Sequence, residues 1–124
     1  MMYTDLLNVK YTPHGRTKEE GFDCYGLVIE CCRRNGTPLY DIKYEEPRIK
    51  VGDKNIYMVG LNVEEVQQYR MGDIVQCNDK GSLHIGFILD DDMVIHTTTY
   101  GVRISPMFCF KDRKYYRVIN NKVV

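Results

Sequence analysis

The sequence predicts an α+β domain in which one helix packs on an antiparallel sheet of about five strands. Apolar residues first recur at intervals of three and four between positions 24 and 35. After position 72 the chain instead shows short runs with strand-like composition, separated by polar turns. With 124 residues, of which 44% are hydrophobic, residues 1–124 are expected to form a single domain around one core.

The helix is predicted to begin near Cys24 and to end at Asn35 and Gly36. Glycine readily takes the left-handed conformation that ends many helices, and Pro38 then prevents the helix from continuing. The apolar face consists of four residues at helical spacing: Leu27, Val28, Cys31 and Cys32.

Five strands are predicted in the second half of the chain, at residues 74–77, 83–89, 93–98, 101–104 and 115–118. The stretch "NVEEVQQYR" is expected to form a short helix capped by Asn62, with Glu65 in a capping box. Residues 3–9 can form a short first element, and the following "TPHGRTKEEG" is a polar loop. Residues 37–60 show little periodicity and are interpreted as an irregular connector.

Composition excludes several classes of function. Lys and Arg together number 17, as do Asp and Glu, so the formal net charge is zero and a nucleic-acid-binding module is not expected. No apolar run is long enough to cross a membrane, and the first residues lack the features of a secretory signal, which suggests synthesis in the cytosol. The five cysteines include two adjacent ones and no C-x-x-C pair, so neither a disulfide framework nor a cofactor is expected.

Cys24 is a candidate nucleophile because it lies where the predicted helix begins. The N–H groups and dipole of a helix N-terminus lower the pKa of a cysteine, and the thiolate is the form that attacks. The same N–H groups could face the oxyanion that forms on a carbonyl. A packed structural thiol is the alternative, since free cysteine is among the most buried residue types.

Two histidines in consecutive predicted strands are candidates for the base and its partner. If the hairpin turns about Asp90, His84 and His96 lie directly opposite each other, whereas a shifted turn makes the pair diagonal. A hydrogen bond between the rings would fix the tautomer and orientation of the base. Each histidine could instead be satisfied at the edge of a core. A Cys–His–His metal site is disfavoured because no fourth ligand has a convincing spacing.

Four segments, in order, resemble the NlpC-type cysteine peptidases: "GFDCYGLV", "MGDIV", "HIGFILDDDMVIH" and "GVRI". That family comprises papain-like hydrolases that mostly cut peptide crosslinks of bacterial cell walls. The resemblance covers residues 11 to about 118. It implies a papain-like, NlpC-type fold and hydrolysis of a peptide or isopeptide bond, with the stem peptide of peptidoglycan as substrate and partner.

The resemblance also implies roles for individual residues. Cys24 becomes the nucleophile, His84 the base and His96 the polar third residue of the triad. Tyr11 matches a tyrosine near the oxyanion, although packing on the sheet is an equally good explanation for it. Asp23 matches a carboxylate that helps to position the substrate, and it could also cap the helix.

One departure from the family pattern concerns Tyr25, which stands where many cell-wall members have serine. A bulkier or differently polar substrate pocket is therefore expected beside the nucleophile. Together with "YYRV" near the C-terminus and the lack of an export signal, this tyrosine resembles the phage-tail branch of the family. That branch implies tail proteins as further partners and action at the cell wall through a phage particle. Two alternatives stay open: a thiol acyl-transfer enzyme acting on a lipid or small amide, and a non-catalytic tail component.

Overall fold

A six-stranded antiparallel sheet with one helix packed on it dominates the structure, a computed structural model that describes residues 2–41 and 61–119. The elements are β1 (Arg16–Thr17), β2 (Gly21–Phe22), α1 (Cys24–Arg34), β3 (Val63–Val66), β4 (Ile74–Asp79), β5 (Ser82–Ile88), β6 (Met93–Thr98), β7 (Gly101–Pro106) and β8 (Lys111–Val118). The strand order of the large sheet is β3-β8-β4-β5-β6-β7, while β1 and β2 form a separate two-stranded hairpin. This is the α+β fold that the sequence predicted.

The helix α1 has the bounds that its apolar periodicity predicted. It begins at Cys24, ends at Arg34 and is followed by Gly36 in the left-handed conformation, with φ of 78°. It packs against β5 and β6. Fully buried side chains from both layers form the core between them, among them Leu27, Val28, Ile85, Phe87 and Ile95.

The prediction of a helix capped by Asn62 is wrong. Residues Val63–Val66 form the edge strand β3, and Val63 pairs with Val118 of β8. Valine favours a pleated, half-buried surface, so pairing with β8 overrides the local capping signal. This strand raises the large sheet to six strands, where about five were expected.

Asn62 still makes hydrogen bonds, but to distant backbone groups. It is 1% exposed, and its Oδ1 accepts from the backbone N–H of Tyr40 at 2.9 Å. Its Nδ2 donates to the carbonyl oxygens of Pro38 at 2.9 Å and Ile119 at 3.3 Å. The side chain therefore ties the segment after α1 to the end of β8.

The remaining strand predictions are confirmed, and each observed bound lies within four residues of the predicted one. The first element is reduced to a 3-10 turn, Thr4–Leu6, and the polar loop contains the β1–β2 hairpin. Most of the predicted connector, residues 42–60, lies outside the described residues. Within residues 2–41 and 61–119, no helix is long and apolar enough to cross a membrane.

The "MGD" segment fixes the start of β4 to β8. Gly72 has a φ of 94°, and its N–H donates to the carbonyl of Ile88 at 2.8 Å. Asp73 is 2% exposed and accepts the Arg70 backbone N–H at 2.9 Å. Both carboxylate oxygens of Asp73 also accept from the Arg117 guanidinium, at 3.0 and 2.8 Å. Such a two-pronged pair is strong and geometrically specific.

We expect Asp73→Asn to lower the free energy of unfolding by about 2 kcal/mol, because the amide cannot accept both guanidinium bonds or match the charge of Arg117. Urea denaturation followed by circular dichroism measures this. The control is Asp90→Asn, which removes an exposed carboxylate in the turn after β5 and should change stability by less than about 0.5 kcal/mol. Equal midpoints for the two variants would contradict the structural role of the pair.

Candidate active site

Asp23 organises the N-terminus of α1, where Cys24 begins the helix. Its Oδ1 accepts the Gly26 backbone N–H at 2.7 Å, which is the N-cap bond that the sequence offered as an alternative role. Its Oδ2 accepts the backbone N–H of His14 at 3.1 Å, and Arg16 Nη1 donates to Oδ1 at 3.0 Å. The carboxylate is 4% exposed and thus joins the polar loop to the first turn of the helix.

Gly15 in the polar loop and Gly26 in the helix allow the loop to lie against the helix. A Cβ built on Gly26 would lie 2.0 Å from the carbonyl oxygen of Gly15, so only glycine fits at that position. The backbone before the loop is also held to β2, since the N–H of Phe22 donates to the carbonyl oxygen of Lys10 at 3.1 Å. Tyr11 forms a parallel backbone bridge with Phe22. These contacts fix the position of Tyr11 beside the helix start.

Tyr11 lies close enough to Cys24 for their charges to interact. Burial of its hydroxyl raises the pKa of Tyr11, and negative charge on Cys24 and Asp23 raises it further. The residue as a whole is 48% exposed, so a substrate could approach it. At neutral pH the hydroxyl is protonated and can donate a hydrogen bond.

Tyr25 is enclosed by protein in this structure. It is 2% exposed, its hydroxyl donates to the carbonyl oxygen of Tyr40, and the guanidinium carbon of Arg16 lies 5.1 Å from its ring centroid. The tyrosine at this position therefore anchors the segment that follows α1. Direct substrate contact by Tyr25 stays a prediction.

The structure brings His84 and His96 together. The Nε2 of His84 lies 3.1 Å from the Nδ1 of His96, and the ring centroids are 5.3 Å apart. The pair is diagonal, the arrangement expected for a shifted turn, because Phe87 pairs with Ile95 and the same register places Gly86 opposite His96. The histidines are diagonal neighbours whose rings nevertheless reach each other.

Gly86, in the "HIG" segment, provides the space for this diagonal contact. A Cβ at this position would lie 2.5 Å from Cγ1 of Val94 and 3.3 Å from Cβ of His96. Any larger residue would push β6 away or displace the imidazole. The glycine is thus required by close packing beside His96.

Ser105 is a site residue that sequence reasoning missed. Its Oγ lies 2.9 Å from the Nε2 of His96, on the side away from His84. The fourth strand was expected to end at residue 104, whereas β7 continues to Pro106 and carries Ser105 on the face that meets His96. Correct placement of the strand end was the only signal that could have found it.

Burial keeps both imidazoles neutral near pH 7. It lowers the pKa of His84. It also lowers the pKa of His96 to about 4, helped by the adjacent His84 charge. Negative charge on Asp79 opposes the shift at both rings without cancelling it. A neutral His84 can accept a proton, as a general base must.

Cys77 lies on β4, directly opposite His84 of β5. Burial raises the pKa of Cys77 to about 12, and the charges of Asp79 and Cys24 contribute to this rise. A cavity of about 330 Å³ is lined in part by Cys77, His84 and His96. Within the described parts of the chain, no three His, Cys, Asp or Glu side chains are arranged to hold a metal ion.

Comparisons with known proteins agree with this architecture. The model of the NlpC/P60 family matches residues 8–119. The crystal structure of the NlpC/p60 domain of the peptidoglycan hydrolase SagA shares the fold, with a TM-score of 0.58 and 19% identity over 94% of this chain and 92% of that one. A search of curated proteins found no match. Because the family model spans most of its length, this chain belongs to the NlpC/P60 family.

Proposed function

We propose that the protein is a cysteine hydrolase that cleaves a peptide or isopeptide bond in the stem peptide of bacterial peptidoglycan, and that residues 1–124 form one catalytic domain. The observation that carries this proposal is the 3.1 Å contact between His84 and His96 on strands packed against a helix that begins at Cys24. Membership of the NlpC/P60 family supports it. The similar SagA domain comes from a peptidoglycan hydrolase, which supports the choice of substrate.

In the first half of the reaction, Cys24 attacks the substrate carbonyl. The Nε2 of His84 is occupied by His96, so Nδ1 is the nitrogen left to take the thiol proton. As the sulfur–carbon bond forms, the carbonyl oxygen becomes an oxyanion. In this proposal the backbone N–H of Cys24 and the hydroxyl of Tyr11 donate to it.

In the second half, the intermediate collapses and is hydrolysed. Protonated His84 gives its proton to the leaving amine, the carbon–nitrogen bond breaks, and a thioester with Cys24 remains. Neutral His84 then takes a proton from water, whose oxygen attacks the thioester. The carboxylic acid leaves, and the Cys24 sulfur regains its proton.

Phage-tail association rests on sequence resemblance and stays a prediction. The tyrosines of "YYRV" have packing roles that need no tail partner. Tyr116 is 4% exposed in the core, and Tyr115 packs on Tyr69 with ring centroids 4.7 Å apart. Copurification with tail proteins in the absence of any amide hydrolysis would favour a structural tail component over an enzyme.

The nucleophile is tested by Cys24→Ala. We expect turnover of purified muropeptides to fall by about 10⁴-fold or more, because no thiolate remains to form the acyl-enzyme. Mass spectrometry of the products measures this, with circular dichroism to confirm folding. The matched control is Cys109→Ala, which removes an exposed thiol and should keep wild-type activity. Undiminished hydrolysis by Cys24→Ala refutes the assignment, and a mass shift only of acyl lipids would favour the acyl-transfer alternative.

Cysteine alkylation tests the proton transfer without a substrate. Burial raises the pKa of Cys31, Cys32 and Cys77, so these thiols should react slowly with iodoacetamide. At pH 6 an ordinary thiol is less than about 1% ionised. We expect Cys24 to react faster than exposed Cys109, because His84 accepts its proton. Peptide mass spectrometry gives the rate at each position.

The control for this measurement is His84→Ala, in which Cys24 should lose its advantage over Cys109 while the rate at Cys109 stays unchanged. If Cys24 reacts no faster than Cys109 in the wild type, His84 does not activate it.

The lowered pKa of His96 predicts a specific pH dependence of stability. An unfolded histidine has a pKa near 6.5, whereas burial lowers that of His96 to about 4, so the unfolded chain binds this proton first as pH falls. This contribution to stability is complete above pH 6.5 and is lost towards pH 4. Between pH 7 and 4.5 the free energy of unfolding should fall by about 2 kcal/mol more in the wild type than in His96→Gln. Urea denaturation measures this difference. Identical losses in the two proteins contradict the shift.

A further inference from the structure

Three polar side chains on neighbouring strands form a continuous hydrogen-bonded chain: His84 on β5, His96 on β6 and Ser105 on β7. We propose that Ser105 is a positioning residue whose hydroxyl accepts a hydrogen bond from His96 and so stabilises the tautomer that lets His84 act as a base. The inference rests on the proposed function for its purpose. Its geometry, however, stands on contacts that do not involve a substrate.

The contacts leave little freedom for the His96 ring. Its Nδ1 lies 3.1 Å from Nε2 of His84, and its Nε2 lies 2.9 Å from Oγ of Ser105. Within residues 2–41 and 61–119, these are the two hydrogen-bond partners of the ring. Phe110 packs edge-on against it, with ring centroids 4.8 Å apart and an interplanar angle of 75°. Each ring nitrogen therefore has one partner.

The pairing of β6 with β7 brings the serine to this position. His96 pairs directly with Arg103, while Ser105 pairs with Val94. Alternation along the strand places Ser105 on the same face as Arg103, as a diagonal neighbour of His96. The strand register thus determines that the hydroxyl meets the imidazole.

The direction of the hydrogen bonds follows from what the base must do. To take a proton on Nδ1, His84 must carry its own hydrogen on Nε2 and donate it to Nδ1 of His96. Nδ1 of His96 is then an acceptor, so the hydrogen of the neutral ring resides on Nε2 and needs an acceptor in turn. Ser105 Oγ provides one. No bond is made or broken at Ser105 during the reaction.

Without the hydroxyl, the opposite tautomer becomes competitive. The Nε2 hydrogen of His96 would lose its partner in a largely buried site, which is costly. A hydrogen on Nδ1 would instead donate to Nε2 of His84 and leave the hydrogen of His84 on Nδ1. In that arrangement His84 cannot accept a proton from Cys24.

The neutral state of His96 makes two tautomers of the ring available. The pKa of His96 is lowered to about 4, mainly by burial, so near pH 7 the ring carries a single N–H hydrogen, on either Nδ1 or Nε2. A charged ring would donate from both nitrogens and would have no tautomer to select.

The test compares Ser105→Thr with Ser105→Val, two side chains of nearly equal shape of which only threonine keeps the hydroxyl. Long-range ¹H–¹⁵N correlation spectra at pH 7 report the tautomer, and His96→Gln identifies the His96 signals. We expect hydrogen on Nε2 in the wild type and in Ser105→Thr, and a shift towards Nδ1 in Ser105→Val. Alkylation of Cys24 by iodoacetamide at pH 6 should slow about tenfold in Ser105→Val, as for the loss of one hydrogen bond.

Ser105→Thr should retain the wild-type alkylation rate of Cys24 within about twofold, because it keeps the hydroxyl. If serine only filled space, the threonine and valine variants would behave alike. The matched control is Ser82→Ala at the start of β5, which should change neither readout. An unchanged tautomer in Ser105→Val, or equal alkylation rates in the valine and threonine variants, overturns the inference.

Failure of the proposed function looks different from failure of this inference. If wild-type protein leaves muropeptides intact while the tautomer shifts and alkylation slows in Ser105→Val, the hydrogen-bonded chain is supported and the substrate is wrong. If muropeptides are hydrolysed equally well by the wild type and by Ser105→Val, the function is supported and Ser105 has no positioning role.

Discussion

The buried carboxylate of Asp23 is the interaction on which the rest of the site depends. One side chain caps α1 through Gly26, accepts a backbone N–H from the polar loop and forms an ion pair with Arg16. These bonds determine where the helix begins, and therefore where Cys24 lies. They also hold the polar loop against the first turn of the helix. The position of Cys24 at the start of the helix thus depends on its neighbour in the chain, Asp23.

The sheet imposes a second constraint, because the contact between His84 and His96 depends on the absence of a side chain at Gly86. The histidines are diagonal neighbours across β5 and β6, a separation that long side chains can still bridge. Gly86 lies opposite His96, and even a methyl group there would collide with Val94. The contact between His84 and His96 is therefore a product of strand register and a missing side chain together. As rigid elements, the helix and the sheet then fix where Cys24 lies relative to the two histidines.

Sequence reasoning found the helix, five of the six strands of the large sheet, and the pairing of the two histidines. It succeeded where local pattern and tertiary structure agree, as in α1, whose apolar spacing and glycine end act within one segment. It failed where contacts with residues distant in the sequence determine the local structure. Val63 pairs with β8, and Asn62 binds backbone at three remote positions, neither of which is visible locally. Ser105 was missed for a related reason, since its role depends on how far β7 extends beside β6.

Burial alone does not distinguish Cys24 from the structural thiols. It is 9% exposed, against 0% for Cys31 and 3% for Cys77, so all three sulfurs are largely shielded from water. Burial penalises an isolated thiolate, which is why the pKa of Cys77 rises to about 12. What differs at Cys24 is its place at the first position of α1, where Asp23 caps the helix. Burial lowers the pKa of His84, so its imidazole is neutral and able to accept a proton at neutral pH. Under the proposed function, the Cys24 thiol need not hold a charge at rest, because neutral His84 can take its proton as the sulfur attacks.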